Sequence, residues 1–262
     1  MSAVIHSRSG SRFFREIVPW LLPLVLVIAW QIFTAAGLIP HRVLPSPSEV
    51  LEAGFRLTLT GELPLHLWES SQRALAGLLI GGAIGFFFGL LNGLFGPANR
   101  VFDSSLQMLR NVPHLAMIPL VIVWFGIGEP AKLFLIVIGV FFPVYVNTVH
   151  GIRSTDTRLV EMGRVYGLKP WELLWQVVLP SALPSILVGV RYALGIMWLT
   201  LIVAETIACD NGIGYMTMNA REFLQTDVVL LGILLYALLG KLADTITRAL
   251  ERWLLRWNPA YR

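Results

Sequence analysis

One cysteine, Cys209, is all that 262 residues contain, so the chain forms no internal disulfide and offers no thiolate cluster for a metal. Charge is scarce as well. Only 14% of residues are Asp, Glu, Lys or Arg, against about a quarter in ordinary soluble domains. The five histidines are scattered, and no HExxH or GxSxG pattern supplies a metal or nucleophile constellation. No GxxxxGK[ST] phosphate loop occurs either, so the chain has no recognisable nucleotide site of its own. The net charge of +4 does not point to nucleic acid, because the basic residues sit at the ends of apolar segments rather than in one patch with aromatic platforms.

What is present is apolar sequence. Hydrophobic residues make up 56% of the chain and the mean hydropathy is +0.70, which defines an integral membrane protein. Six spans are expected. The first, 17–36, follows Arg8, Arg12 and Arg15 in a tail of residues 1–16. Its charged start resembles a signal peptide, but a run of about 20 residues spans a bilayer and exceeds the usual apolar core of a cleavable signal. A proline-rich, charged link over 37–69 follows, with a short surface helix expected over 48–60 after Pro47. Further spans are expected over 74–95, 113–125, 133–149, 184–208 and 228–247, the fourth kinked by Pro143, with a polar link containing Asp103 and bracketed by Arg100 and Arg110 before the third. The core of the protein is thus 70–250, and 251–262 form a basic tail.

The second span carries Gly77, Gly81, Gly85, Gly89 and Gly93 at intervals of four. Each step turns an α-helix by about 400°, so the five trace one slowly drifting stripe on which another helix can pack closely. Glycine is also simply common in membrane helices, but on either reading the stripe is packing rather than a site.

Lysine and arginine placement sets the orientation. With the N-terminus in the cytoplasm, thirteen basic residues, Arg110 among them, fall in inside segments, against Arg42, Arg56, Lys132 and Arg221 outside. The excess follows the positive-inside rule and puts both termini and the segment 151–183 in the cytoplasm.

Within that segment, 161–180 is the longest charge-bearing amphipathic interruption of the apolar sequence. Leu159, Met162 and Tyr166 recur at helical spacing, while Arg158, Glu161 and Arg164 fall off that face. Gly167 suits a left-handed helix end, and Pro170 suits the first turn of a second helix running to Leu179 and Pro180. The expectation is helix, glycine turn, helix.

This stretch resembles the EAA loop of ABC-importer permeases, Glu-Ala-Ala-x3-Gly-x9-Ile-x-Leu-Pro, here Glu161, Met162, Gly163, Gly167, Val177, Leu179 and Pro180. Met162, Gly163 and Val177 depart from it by small or apolar exchanges. The likeness extends from about Trp20 to the C-terminus. Over 106–127, 189–208, 219–229 and 250–261 it is similar to one subgroup, the permeases for aliphatic sulfonates, relatives of those for taurine and nitrate. The resemblance implies an all-α membrane protein of six transmembrane helices with the type I ABC importer, or MetI-like, fold. It implies no cofactor of the chain's own, because ATP is bound by partner ABC ATPase subunits. It implies a periplasmic substrate-binding protein that meets 37–69 and 209–227, and a pair of permeases, as a homodimer or with a related chain. Glu161 then makes polar contacts to the ATPase, Gly167 allows the turn, Leu179 with Pro180 anchor the loop to the fifth span, and Gly163 belongs to the same ATPase-coupling loop. Aliphatic sulfonate is the expected substrate, with taurine, nitrate or another small anion as the alternative. An intramembrane enzyme or scaffold is the contrasting reading, and it requires no ATPase.

Ionisable groups inside spans are the default suspects for a pathway. Arg191 and Glu205 lie in the fifth span, about 21 Å apart along a helix, so they do not pair with each other. Arg191 either lines the pathway or holds a neighbouring helix, and Glu205 is either a gate or a structural partner. Trp198 and Thr200 between them either line the pathway or pack. Arg73, Lys241 and Asp244 sit near span ends and read as structural.

Overall fold

The computed structural model describes residues 10–207 and 210–257. Arg8, Cys209 and Arg262, together with the side chains of Arg12 and Arg15, lie outside the described residues. Among the described residues every regular element is helical. The order is α1 (Gly10–Ala35), α2 (Pro47–Leu59), α3 (Glu62–Leu94), α4 (Gly96–Arg110), α5 (Ile118–Phe125), α6 (Glu129–Arg153), α7 (Thr157–Val165), α8 (Pro170–Leu173), α9 (Leu179–Ile207), α10 (Ile213–Glu222) and α11 (Thr226–Leu254).

Four rods are long and apolar enough to cross a membrane: α3, α6, the continuous helix Pro170–Ile207, and α11. A fifth is broken, with Asn99–Arg110 and His114–Phe125 meeting at 81°. The expected first span falls on α1, whose Leu21–Ala35 is a shorter apolar helix. Several boundaries shift. α1 starts at Gly10, inside the expected tail. α3 starts at Glu62, inside the expected link, and α11 runs on to Leu254. Pro143 is carried within α6 without ending it.

The broken span is the main correction. Sequence reading made 100–110 a polar link and 113–125 a straight span, whereas α4 is helical and the chain turns sharply before His114. Pro113 explains the break. It lacks an N–H for the helix ladder, and its ring drives the preceding residue toward extended backbone. The expected surface helix is present as α2, held by a reciprocal cap in which the Ser46 hydroxyl accepts from the Glu49 N–H and the Glu49 carboxylate accepts from the Ser46 N–H at 2.6 Å. That backbone bond, with help from His41, holds the Glu49 carboxyl below its ordinary range.

α6 is the central rod, packed parallel to α3 and antiparallel to α9. The glycine stripe makes the first contact. A β-carbon on Gly77, Gly81, Gly85, Gly89 or Gly93 would meet Ile136, Val137, Phe141, Thr148 or Ile152 at 2.2 to 2.8 Å. Those on Gly81 and Gly85 would strike α6 carbonyl oxygens. Against α9, Gly151 and Gly189 play the same part, facing the carbonyls of Ala182 and Pro143. Ile136, Val140, Val144, Met197, Leu201 and Tyr236 fill the core between these rods. Outward faces of α1, α3, α5 and α11 carry exposed leucine, valine and phenylalanine, as lipid-facing helices do.

Candidate functional site

Two features stand at opposite ends of the bundle. At one end α6 leads into α7, whose first turn is capped by the Asp156 carboxylate accepting from the Arg158 N–H at 2.9 Å. α7 stops at Gly167, which has φ +81°. The Leu168 N–H reaches the Gly163 carbonyl and the Gly167 N–H reaches that of Arg164, both at 3.0 Å, a Schellman closure that requires the left-handed residue. Pro170 then opens α8, where the Glu172 carboxylate accepts from the Lys169 N–H at 2.7 Å. A π-helical turn, Leu174–Val178, fuses α8 to α9, so Leu179 and Pro180 begin a rod continuous with the elbow.

The orientation of the elbow is informative. Gly163 is the buried residue of α7, and a β-carbon there would come within 2.7 Å of a Leu173 methyl. Glycine where the EAA pattern has alanine is therefore the seat of α7 on α8. Val160 packs inward with Ile152, Val178 and Ala182. Leu159, Met162 and Tyr166 point away from the chain, as do Val165, 86% exposed, Trp171 and Trp175. Glu161 is also exposed and makes no ion pair among the described residues. An apolar stripe flanked by Glu161, Arg158 and Arg164 is thus presented outward. Because Gly167 has open space around it, Gly167→Val acts through backbone conformation alone. A β-branched residue resists φ +81° by more than the roughly 1–2 kcal/mol of an ordinary side chain. If the elbow couples to an ATPase as the EAA resemblance implies, the expected result is normal membrane insertion with impaired ATP-driven uptake, and Gly167→Asn retaining more uptake than Val. Uptake at the wild-type rate by Gly167→Val would remove the turn from coupling.

At the other end, Glu205 is 1% exposed and is the hub of a polar cluster. Its carboxylate accepts from the Ser70 hydroxyl at 2.7 Å, Arg73 Nη1 at 2.7 Å, the Gly214 N–H at 2.9 Å and the Tyr236 hydroxyl at 3.1 Å. Arg73, 6% exposed, also grips Glu129 through Nε and Nη2 at 2.7 and 2.8 Å, and bonds the Asn211 side chain. Lys132 adds 3.1 Å to Glu129. The cluster joins α3, α6, α9, α10 and α11. Gly212 and Gly214 lie so close that a β-carbon on either would sit 2.5 to 2.6 Å from Glu205. Of the two roles open to Glu205, the geometry is that of a structural partner.

The four pathway candidates do not form one site. Arg191 holds α11 through Glu251 and lies 3.9 Å from Asp244. Trp198 lines the same side, beside Arg191, Tyr236 and Asp244. Thr200 is fully buried on another face, 3.0 Å from His114 Nε2. Glu205 is one helix end away. The sequence reads Arg73 as structural, as it is, but not its partners, which lie 56 and 132 residues off. Only the rule that a charge in an apolar run needs a partner pointed to them.

A bundle of apolar rods with an amphipathic elbow at one end and a charge cluster around the buried Glu205 at the other has the build of a membrane permease. Residues 81–256 match the family described as the binding-protein-dependent transport system inner membrane component, and the chain belongs to that family. It is the membrane subunit of an ABC importer. It is 58% identical to the putative aliphatic sulfonates transport permease protein SsuC of Escherichia coli K12 over 95% of both chains. Its identity to the taurine transport system permease protein TauC of the same organism is 35% over 98% of both. The fold is the MetI-like one. An inward-facing structure of the MetNI methionine ABC transporter superposes with a TM-score of 0.57 at 21% identity, covering 73% of this chain and 97% of that one.

Proposed function

We propose that this permease carries aliphatic sulfonates across the inner membrane and takes its driving force from an ATPase docked on α7 and α8. The substrate reading is carried by the similarity to SsuC, which spans 95% of both chains. The coupling reading is supported by the outward apolar stripe, since a soluble protein subunit is the natural cover for Leu159, Met162, Tyr166 and Trp171 outside the bilayer. Both termini and the elbow lie in the cytoplasm, and α10 faces the periplasmic binding protein. ATP is held by the ATPase, and the chain carries no cofactor. When two ATPases close on ATP, each moves one elbow, and the fused helix Pro170–Ile207 carries that motion into the bundle of a homodimer.

A strain lacking the chain, supplied with wild type or Glu161→Lys, tests both parts. Wild type should restore growth on ethanesulfonate as sole sulfur source. Glu161→Lys should fail to do so and should copurify poorly with the ATPase. Unimpaired growth of the deletion strain on ethanesulfonate, in the absence of a second importer, would end the sulfonate reading. An unchanged complex would remove Glu161 from the interface.

A further inference from the structure

The break in the third span opens a cavity of about 320 Å³ between α4, α6 and α9, lined by Arg110, His114, Gly139, Asn147 and Tyr192 among others. Its depth follows from α6. Gly139 is ten residues from Glu129 and fourteen from Arg153, which is about 15 and 21 Å along the helix, so the cavity lies near mid-bundle. Non-helical backbone at such depth is tolerated where it is buried in protein or lines a water-filled cavity, and 111–113 is of that kind.

The charge of the lining is one-sided. Cavities near Glu205, Asp244 and Glu129 each contain carboxylates, whereas this one contains an arginine, a histidine, an asparagine and a tyrosine and no acid. Arg73, Arg191 and Lys132 are engaged by carboxylates, but Arg110 pairs with none among the described residues. The acid on the same face of α4, Asp103, is two turns away, about 10 Å along the helix, and is within reach of the Tyr145 hydroxyl. His114 is fixed by Thr200 at 3.0 Å, and the absence of a side chain at Gly139 keeps room beside both. The volume is within the roughly 300–1,000 Å³ of small-molecule sites.

We propose that this cavity binds the anionic head group of the substrate in transit, with Arg110 as the residue that holds its charge. An arginine fork donates two parallel N–H bonds to the oxygens of an oxyanion, and a mid-membrane cation without a carboxylate partner lowers the barrier an anion meets in apolar surroundings. The inference rests on the reading of the chain as an anion permease and names the residue that makes it one. It also moves Arg110 from the inner edge of the membrane, where charge counting put it, to the route itself.

The test is initial uptake of labelled ethanesulfonate and of nitrate by cells producing the chain with its ATPase and binding protein. It is paired with ATP hydrolysis by the purified complex. Arg110→Gln should lower uptake roughly tenfold or more, the loss of one charge-assisted contact. It should leave binding-protein-stimulated ATP hydrolysis intact, and Arg110→Lys should fall between. Wild-type uptake by Arg110→Gln would overturn the site, as would parallel loss of uptake and hydrolysis, which would assign Arg110 to coupling. If wild type carries nitrate and not ethanesulfonate, and Arg110→Gln loses nitrate uptake, the sulfonate reading fails while the anion site stands. If wild type and Arg110→Gln carry ethanesulfonate alike, the reverse holds.

Discussion

Glu205→Ala should destabilise the permease by about 3–5 kcal/mol, the range for removing one partner of a buried charge pair. The reason is the number of donors left behind. Ser70, the Gly214 N–H and the Tyr236 hydroxyl each lose a bond to the carboxylate, and Arg73, almost wholly buried, loses one of the two carboxylates it grips most closely. Because those groups belong to α3, α10 and α11, the loss is shared by every element at that end of the bundle. Glu205→Gln should cost less, since a carboxamide oxygen still accepts from Ser70 while the charge on Arg73 goes partly uncompensated. Arg73→Gln takes the cation from the buried Glu205, while Glu129 keeps Lys132, and should cost at least as much as Glu205→Gln. The pair should also be non-additive, with the double variant better than the sum of the singles. Thermal unfolding of the purified chain in detergent measures all four variants. A Glu205→Ala melting curve superimposable on wild type would show that the cluster does not hold this end together.

Local chemistry made half of this protein legible in its sequence. The elbow was readable because Gly167 and Pro170 act within two turns of where they stand, and the glycine stripe because a period of four is itself a helix face. The membrane class was readable from composition. Long-range pairing was not. Nothing in the sequence says that Arg73 will meet Glu205 across 132 residues, or that Arg191 will choose Glu251. The broken span was hidden for a different reason. The residues of α4 are polar enough to pass for a loop by hydropathy, yet their apolar positions still carry a helical period. Reading Arg110 as the end of a link followed directly from that; without Arg110 the inside count is twelve against four, which leaves the expected orientation unchanged. The outward face of α7 was also concealed, because periodicity defines an apolar stripe without saying whether its cover is the same chain or another.

Gly85→Leu should be strongly damaging, as should Gly81→Leu, and Gly82→Leu, three residues before Gly85, should be tolerated. A β-carbon at 85 would lie 2.6 Å from the Phe141 carbonyl oxygen and 3.2 Å from the Val144 β-carbon, while one at 82 meets nothing within 4 Å. The obstacle at 85 is backbone inside a helix, which cannot rotate aside as a methyl group can. The two rods must therefore separate. Separation is felt along the whole contact, because the α3 glycines from Gly77 to Gly93 face α6 residues 59 positions later at every step, with no gap in the register. Overpacking of a tight contact costs about 1–3 kcal/mol, and this site belongs at the upper end. Gly82→Leu adds an apolar side chain to an open face of α3 and should change stability little. The comparison separates the two readings of the stripe: if glycine is only a common membrane residue, both variants behave alike. Equal yield and equal melting temperature for the two would therefore reduce the stripe to composition. A loss confined to Gly85→Leu would show that close approach of α3 to α6 is what the spacing of four encodes.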